Sequence, residues 1–136
     1  MVEFIKVSFR EAQQLIEEVV LEAEKINKQI AVAVCGPEGE LISFLRMDHA
    51  SPASSVISQN KAYTSARDRK TTKEMGDSMT SKNRPPAYWG DPKITGFGGG
   101  VPIISNAKVI GGIGVSGLSE AEDERIANAA IKKVFG

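Results

Sequence analysis

The sequence of 136 residues predicts an α+β fold, a single antiparallel sheet flanked by helices. Three observations carry this. Short apolar runs occur as two pairs, each joined by a turn, and consecutive hairpins imply antiparallel pairing. Segments with apolar residues at 3.6-residue spacing stand near both ends of the chain. The order helix, hairpin, helix, short helix, hairpin, helix sets helices around one sheet. A chain of this length suits one domain over residues 1–136, and its folding buries roughly 68% of the unfolded surface.

Ser8 and Glu11 have capping-box spacing, so each can satisfy a backbone N–H that the helix start leaves orphaned. Phe9, Ala12, Leu15, Ile16, Val19, Val20, Ala23 and Ile26 then mark one apolar stripe along about five turns. "QIAVAVC" reads as a strand buried on both faces. "GPEGE" is a turn, with Pro37 fixing φ and Gly39 free to take positive φ. "LISFLRM" returns as the second strand. Pro52 suits the first turn of a helix that runs from about Ala53 to Arg67. Ser54, Ser58, Ala62, Ser65 and Ala66 give that helix a small-residue face, suited to close packing on a sheet or a second subunit. Thr71 and Glu74 form another candidate capping box, opening a short helix to about Met79. "SKNRPPAYWGDPKITGFGGG" is a long loop, and loops of that length are usually functional or mobile. "VPIIS", "NAK" and "VIGGIGVSG" form the second hairpin. Ser119 caps the last helix, with Glu122 at capping-box spacing and an apolar stripe of Ile126, Ala127, Ala130, Ile131 and Val134.

Composition narrows the function. The 17 basic and 17 acidic side chains cancel, whereas a nucleic-acid binder shows a basic excess. One cysteine forms no internal disulfide. No apolar run approaches the ~20 residues of a membrane span, and "MVEFIKVSFREAQQ" has no signal-peptide pattern. The expectation is a soluble cytoplasmic protein without nucleic-acid or membrane partners.

Gly112, Gly114 and Gly117 spell G-x-G-x-x-G, the spacing of a dinucleotide-binding loop. That device needs a helix and then a second parallel strand, but only 19 residues follow Gly117 and a helix takes nearly all of them. Glu120, Glu122, Asp123 and Glu124 would also repel a phosphate at the helix start. Glycines on a strand instead let another backbone or a ligand come close. "GFGGG" (Gly96, Phe97, Gly98, Gly99, Gly100) reads as a flexible entry to a strand or as a backbone nest for an anion.

His49, the only histidine, follows a strand in "RMDHA". It is a candidate general base, a candidate haem ligand, or an exposed loop residue. Cys35 closes an apolar strand as a small hydrophobe or a thiolate ligand; catalysis with His49 would need the two to meet in space. Arg46 and Asp48 flank Met47, so strand alternation sets both on one side, paired with each other or holding a charged ligand. Lys61, Arg67, Arg69, Lys70 and Lys73 form a basic region, a solvated face unless Lys61 turns into a cleft and binds a carboxylate. Tyr88 and Trp89 in the long loop plug the core, form an interface or stack on a flat ligand.

Taken together, "AVAVCGPEGELISFLRMDHA", "QNKAYTSA", "GFGGGVPI" and "VIGGIGVSGLSEAEDERIA" resemble the GlcG/HbpS-like family, also found as the C-terminal domain of PduO proteins. The resemblance covers nearly the whole chain. It implies a compact profilin-like domain that assembles into homo-oligomers. It also implies a small-molecule or cofactor-binding role, with haem or a related tetrapyrrole as the specific candidate. The alternative it implies is an accessory protein or enzyme acting on a small hydroxy acid, diol or aldehyde in glycolate, propanediol or glycerol metabolism. PduO-type proteins carry this domain beside a corrinoid adenosyltransferase domain, and that activity does not carry over. Two positions depart from the family pattern: Gly36, beside Cys35, stands where an aspartate is common, and His49 replaces a small residue after R-M-D. The candidate ligand-binding residues are Arg46, Asp48, His49, Lys61, Tyr63, Thr64, Arg67, Gly98, Gly99 and Gly100. His49 is the candidate iron ligand, with Cys35, Met47 and Tyr63 as other donors. Arg46, Lys61 and Arg67 are candidates for haem propionates, and Arg46 or Lys61 for a substrate carboxylate with His49 or Asp48 moving a proton.

Overall fold

A computed structural model describes residues 1–136. The elements follow the expected order: α1 (Phe9–Lys25), β1 (Ala31–Cys35), β2 (Leu41–Arg46), α2 (Pro52–Asp68), α3 (Thr72–Ser81), β3 (Gly100–Ser105), β4 (Lys108–Ser116) and α4 (Glu120–Phe135). The long loop holds one short 3-10 turn, Pro86–Trp89. The four strands form one sheet in the order β2-β1-β4-β3, antiparallel throughout.

Local chemistry fixes the helix starts. The Ser8 and Thr71 capping boxes are complete, each hydroxyl accepting the N–H three residues on while the glutamate there accepts the cap's own N–H. At Ser119 only half the box forms: the hydroxyl accepts the Glu122 N–H, and the Glu122 carboxylate turns to Arg125 instead.

Alternation along β1 and β4 divides the interior in two. Val32, Val34, Ile113 and Val115 face α1 and α4 and form the main core with Leu15, Ile16, Val19, Ile103 and Ile126. Each such side chain stabilises the fold by roughly 1.5–3 kcal/mol. Ala33, Cys35, Gly112 and Gly114 face α2, whose small-residue face lies directly on them. A Cβ at Gly114 would stand 2.2 Å from the Ser58 carbonyl oxygen, and one at Gly112 would stand 2.4 Å from that of Ala62. The two glycines of the G-x-G stretch therefore let a helix backbone approach a strand. The small face of α2 is spent inside the chain, so it gives no support to a subunit interface.

Candidate functional site

Helix α2 carries Lys61, Tyr63, Thr64 and Arg67, and its length separates the candidate residues at its two ends. Ser51 to Arg67 spans about 24 Å at the rise of an α-helix, with His49 before one end and Arg67 at the other. One side chain set cannot serve a single small ligand at both places.

At the head of α2 the chain leaves β2 at Arg46 and turns. The Arg46 Nε donates to the Ala50 carbonyl at 3.0 Å, and the Ala50 N–H donates to the Met47 carbonyl at 3.1 Å. Arg46 and Asp48 therefore do not pair. The strand ends between them, and with it the alternation that would align them. The Met47 sulfur accepts the Ile30 N–H at 3.4 Å. The His49 N–H donates to Gln29 Oε1 at 3.0 Å, which holds the turn, while its imidazole is exposed and makes no hydrogen bond within the chain.

Midway along α2, Lys61 is buried, contrary to its reading as part of a solvated basic face. It lies on the stripe shared with Ser54, Ser58 and Ser65. Its Nζ donates to Asp123 Oδ2 at 3.2 Å and to the Val115 carbonyl at 2.8 Å. The carboxylate it binds is thus the chain's own. Gly98 donates its N–H to Glu120 Oε1 at 2.7 Å, and Gly100 donates to Thr72 Oγ1 at 2.8 Å. The N–H groups of "GFGGG" thus go to separate partners within the chain, and of these only Glu120 is an anion. Gly99 has φ +125° and packs against Lys61, where a Cβ would stand 2.7 Å from Nζ.

Toward the tail of α2, Thr64 Oγ1 donates to the Lys93 carbonyl at 3.3 Å and accepts the Thr95 N–H at 3.0 Å. Tyr63 donates its hydroxyl to Asp91 Oδ2 at 2.5 Å. Its ring carries the Arg67 guanidinium 4.9 Å and the Lys93 ammonium 5.1 Å from its centroid. The Tyr63 hydroxyl bond lowers the Asp91 pKa and raises that of Tyr63. Trp89 packs on Met75, Met79 and Ile94, while Tyr88 is exposed.

Cys35 sits at the opposite end of the β1–β2 hairpin from Arg46, because Ala31 pairs with Arg46 and Cys35 with Leu41. Four residues of strand put it about 13 Å from the His49 end, so the two form no catalytic pair. Burial, reinforced by Glu40 and only partly offset by Lys93, pushes its thiol up to about 12. A neutral thiol is neither nucleophile nor thiolate ligand.

Asp91 and Lys93 do not stand out in the sequence, and Glu120 and Asp123 stand out there only as carboxylates at the start of the last helix. Asp123 carried a readable sign, since it continues the apolar stripe of Ile126, Ala127 and Ala130 on α4. The others had none, because their partners lie far away in the chain.

Three cavities adjoin α2. One of about 580 Å³ includes Arg67, Arg69, Trp89 and Asp91. One of about 230 Å³ includes Lys61, Phe97, Glu120 and Asp123. Another of about 230 Å³ includes Cys35, Glu40, Gln59, Asn60, Tyr63 and Lys93. No group of three or more His, Cys, Asp or Glu side chains is placed to hold a metal ion.

The model of a family described as "Haem degrading protein HbpS-like" matches residues 7–132. The chain belongs to the HbpS-like family. It is 38% identical over 95 residues to Protein GlcG of Escherichia coli K12, covering 70% of this chain and 69% of GlcG. The crystal structure of Klebsiella pneumoniae protein ORFY superposes with a TM-score of 0.91 at 29% identity, covering 98% of this chain and 94% of ORFY. A PduOC:haem complex superposes with a TM-score of 0.87 at 28% identity, covering 94% of each chain. Membership of the HbpS-like family accounts for the four-stranded antiparallel sheet with four helices. No helix of the structure is long and apolar enough to cross a membrane.

Proposed function

We propose that this chain is a haem-binding protein in which His49 ligates the iron and Arg46 meets a propionate. The observation that carries the reading is which donors remain free. Of the four candidate ligands, Cys35 is a buried neutral thiol, the Met47 sulfur accepts a backbone N–H, and the Tyr63 hydroxyl is bound to Asp91. Only the His49 imidazole is exposed and uncommitted. Arg46 uses Nε to close the same turn, which leaves its terminal nitrogens for a carboxylate. The donor set thus fits an axial ligand and one propionate on an open face; bound there, haem supplies a redox-active iron. The haem complex formed by PduOC, so similar in fold, supports this reading. Lys61 and Arg67 drop out as propionate partners, the first being buried on Asp123 and the second lying at the far end of α2.

Titration with hemin, followed by visible absorbance, tests it on the wild type and on His49→Ala. The expected result is a saturable Soret shift that the variant loses. A shift kept in the variant overturns His49 as ligand, and no shift in either protein overturns haem binding.

A second reading rests on the cavity beside Tyr63, where Lys93 has no carboxylate partner and Gln59 and Asn60 supply amides. In it the chain handles a small hydroxy acid, diol or aldehyde, held by Lys93 in place of Arg46 or Lys61. A thermal-shift panel of such compounds tests it. A ligand at 100 times its Kd adds about 2.7 kcal/mol, and a panel without any shift removes the reading. We place the protein in the cytoplasm as a homo-oligomer. Support for assembly comes from Val2, Phe4, Ile5 and Phe9, large apolar side chains left exposed at the N-terminus.

A further inference from the structure

The haem reading leaves the buried pair Lys61–Asp123 without a task. Lys61 is 2% exposed and Asp123 1%. Two of the three N–H donors of Lys61 are used, on Asp123 Oδ2 and the Val115 carbonyl, and an ammonium has three. Asp123 Oδ1 accepts the Leu118 N–H at 3.1 Å. Both residues line the cavity of about 230 Å³ that also holds Ser54, Ile57, Phe97 and Glu120. Phe97 is 57% exposed, so the cavity has an apolar side chain at the surface.

Size and charge select what the cavity takes. Its volume lies below the ~300–1,000 Å³ of sites for drug-sized ligands, so the ligand has a few heavy atoms. A carboxylate would face the carboxylates of Asp123 and Glu120 against one nitrogen. A cation would face the Lys61 nitrogen. The unspent group is a donor, which asks for an acceptor oxygen without added charge. A neutral aldehyde or ketone meets that demand.

We infer that Lys61 forms a reversible imine with a short neutral aldehyde or ketone in this cavity. The Nζ lone pair attacks the carbonyl carbon and a C–N bond forms, while the carbonyl oxygen takes a proton from the Asp123 carboxyl. The carbinolamine then loses its oxygen as one water. Amine plus carbonyl gives imine plus water, with nothing oxidised or reduced. The ion pair becomes reactive when its proton passes from nitrogen to carboxyl, a transfer that burial favours from both sides, since it lowers the Lys61 pKa and raises that of Asp123. An uncharged lysine amine is the nucleophile that such chemistry needs. The protonated imine keeps one N–H, which Asp123 accepts. Gly99 leaves Nζ its space, because any side chain there would press on it.

The test uses the wild-type protein with propanal and sodium cyanoborohydride, then digestion and mass-spectrometric mapping of N-propyl lysines. We expect Lys61 to be alkylated several-fold faster than the exposed Lys28 and Lys108, because burial disfavours its charged form and leaves more free amine. The preference should vanish in urea. Labelling of Lys28 and Lys108 without Lys61 overturns the inference, and so does a preference for Lys61 that survives unfolding. Neither outcome touches the hemin titration, so this site and the haem reading fail separately.

Discussion

Tyr63 ties the long loop to α2 through one hydroxyl. Asp91 accepts that O–H and the Lys93 N–H, so its pKa is lowered and the anionic form is the one that holds the loop. The contribution of Asp91 to stability is complete above its ordinary range near ~3.9 and is lost as pH falls through the depressed value. The raised pKa of Tyr63 has the opposite sense: its contribution is complete below ~10 and is lost as pH rises through the raised value. Tyr63→Phe keeps the ring under Arg67 and Lys93 and removes only the hydroxyl. We expect a loss of about 1 kcal/mol at neutral pH, measured by urea unfolding. The difference from wild type should shrink below about pH 4, and a difference unchanged at pH 3 would sink the assignment. At this scale the sequence was legible on one side only. Lys61, Tyr63 and Thr64 stand out in "QNKAYTSA", but Asp123, Asp91 and the Lys93 carbonyl lie 62, 28 and 29 residues from them. No local spacing reveals such a partner.

Elements were more legible, because what starts and stops them is local. Ser8, Ser51, Thr71 and Ser119 all cap helices by accepting a backbone N–H. The hairpin turns fall where glycine, proline or asparagine permits. Helix α2 shows little apolar stripe, and its packing came instead from the match between small residues and the glycines of β4. That match makes a sharp prediction. Gly114→Ala places a methyl group against the Ser58 backbone, which cannot yield as a flexible side chain would. The expected cost is at least about 1–3 kcal/mol, read as a fall in Tm by calorimetry. A Tm equal to that of wild type would mean that α2 stands farther from the sheet.

For the whole molecule, the order β2-β1-β4-β3 was only partly written in the sequence. Both hairpins were visible; the pairing of β1 with β4 was not, although the unbroken apolar run of β1 asked for a central position. The N-terminal segment raises the question of assembly. Val2, Phe4 and Ile5 are exposed at 80%, 76% and 61%, an arrangement a second copy would cover. We expect light scattering to give more than the mass of one chain, and removal of residues 1–5 to weaken the association. A monomer at all concentrations would contradict this.

The central β1–β4 pairing also sets the order of events during synthesis. Residues 31–35 can complete their sheet only after residues 112–116 have left the ribosome. Until then the first hairpin carries an open hydrogen-bonding edge on a strand with no polar side chain. Contacts so distant in sequence slow folding, and the nascent chain exposes that edge from the completion of β2 at Arg46 until β4 ends at Ser116. A chaperone that shields extended apolar segments would act in that interval.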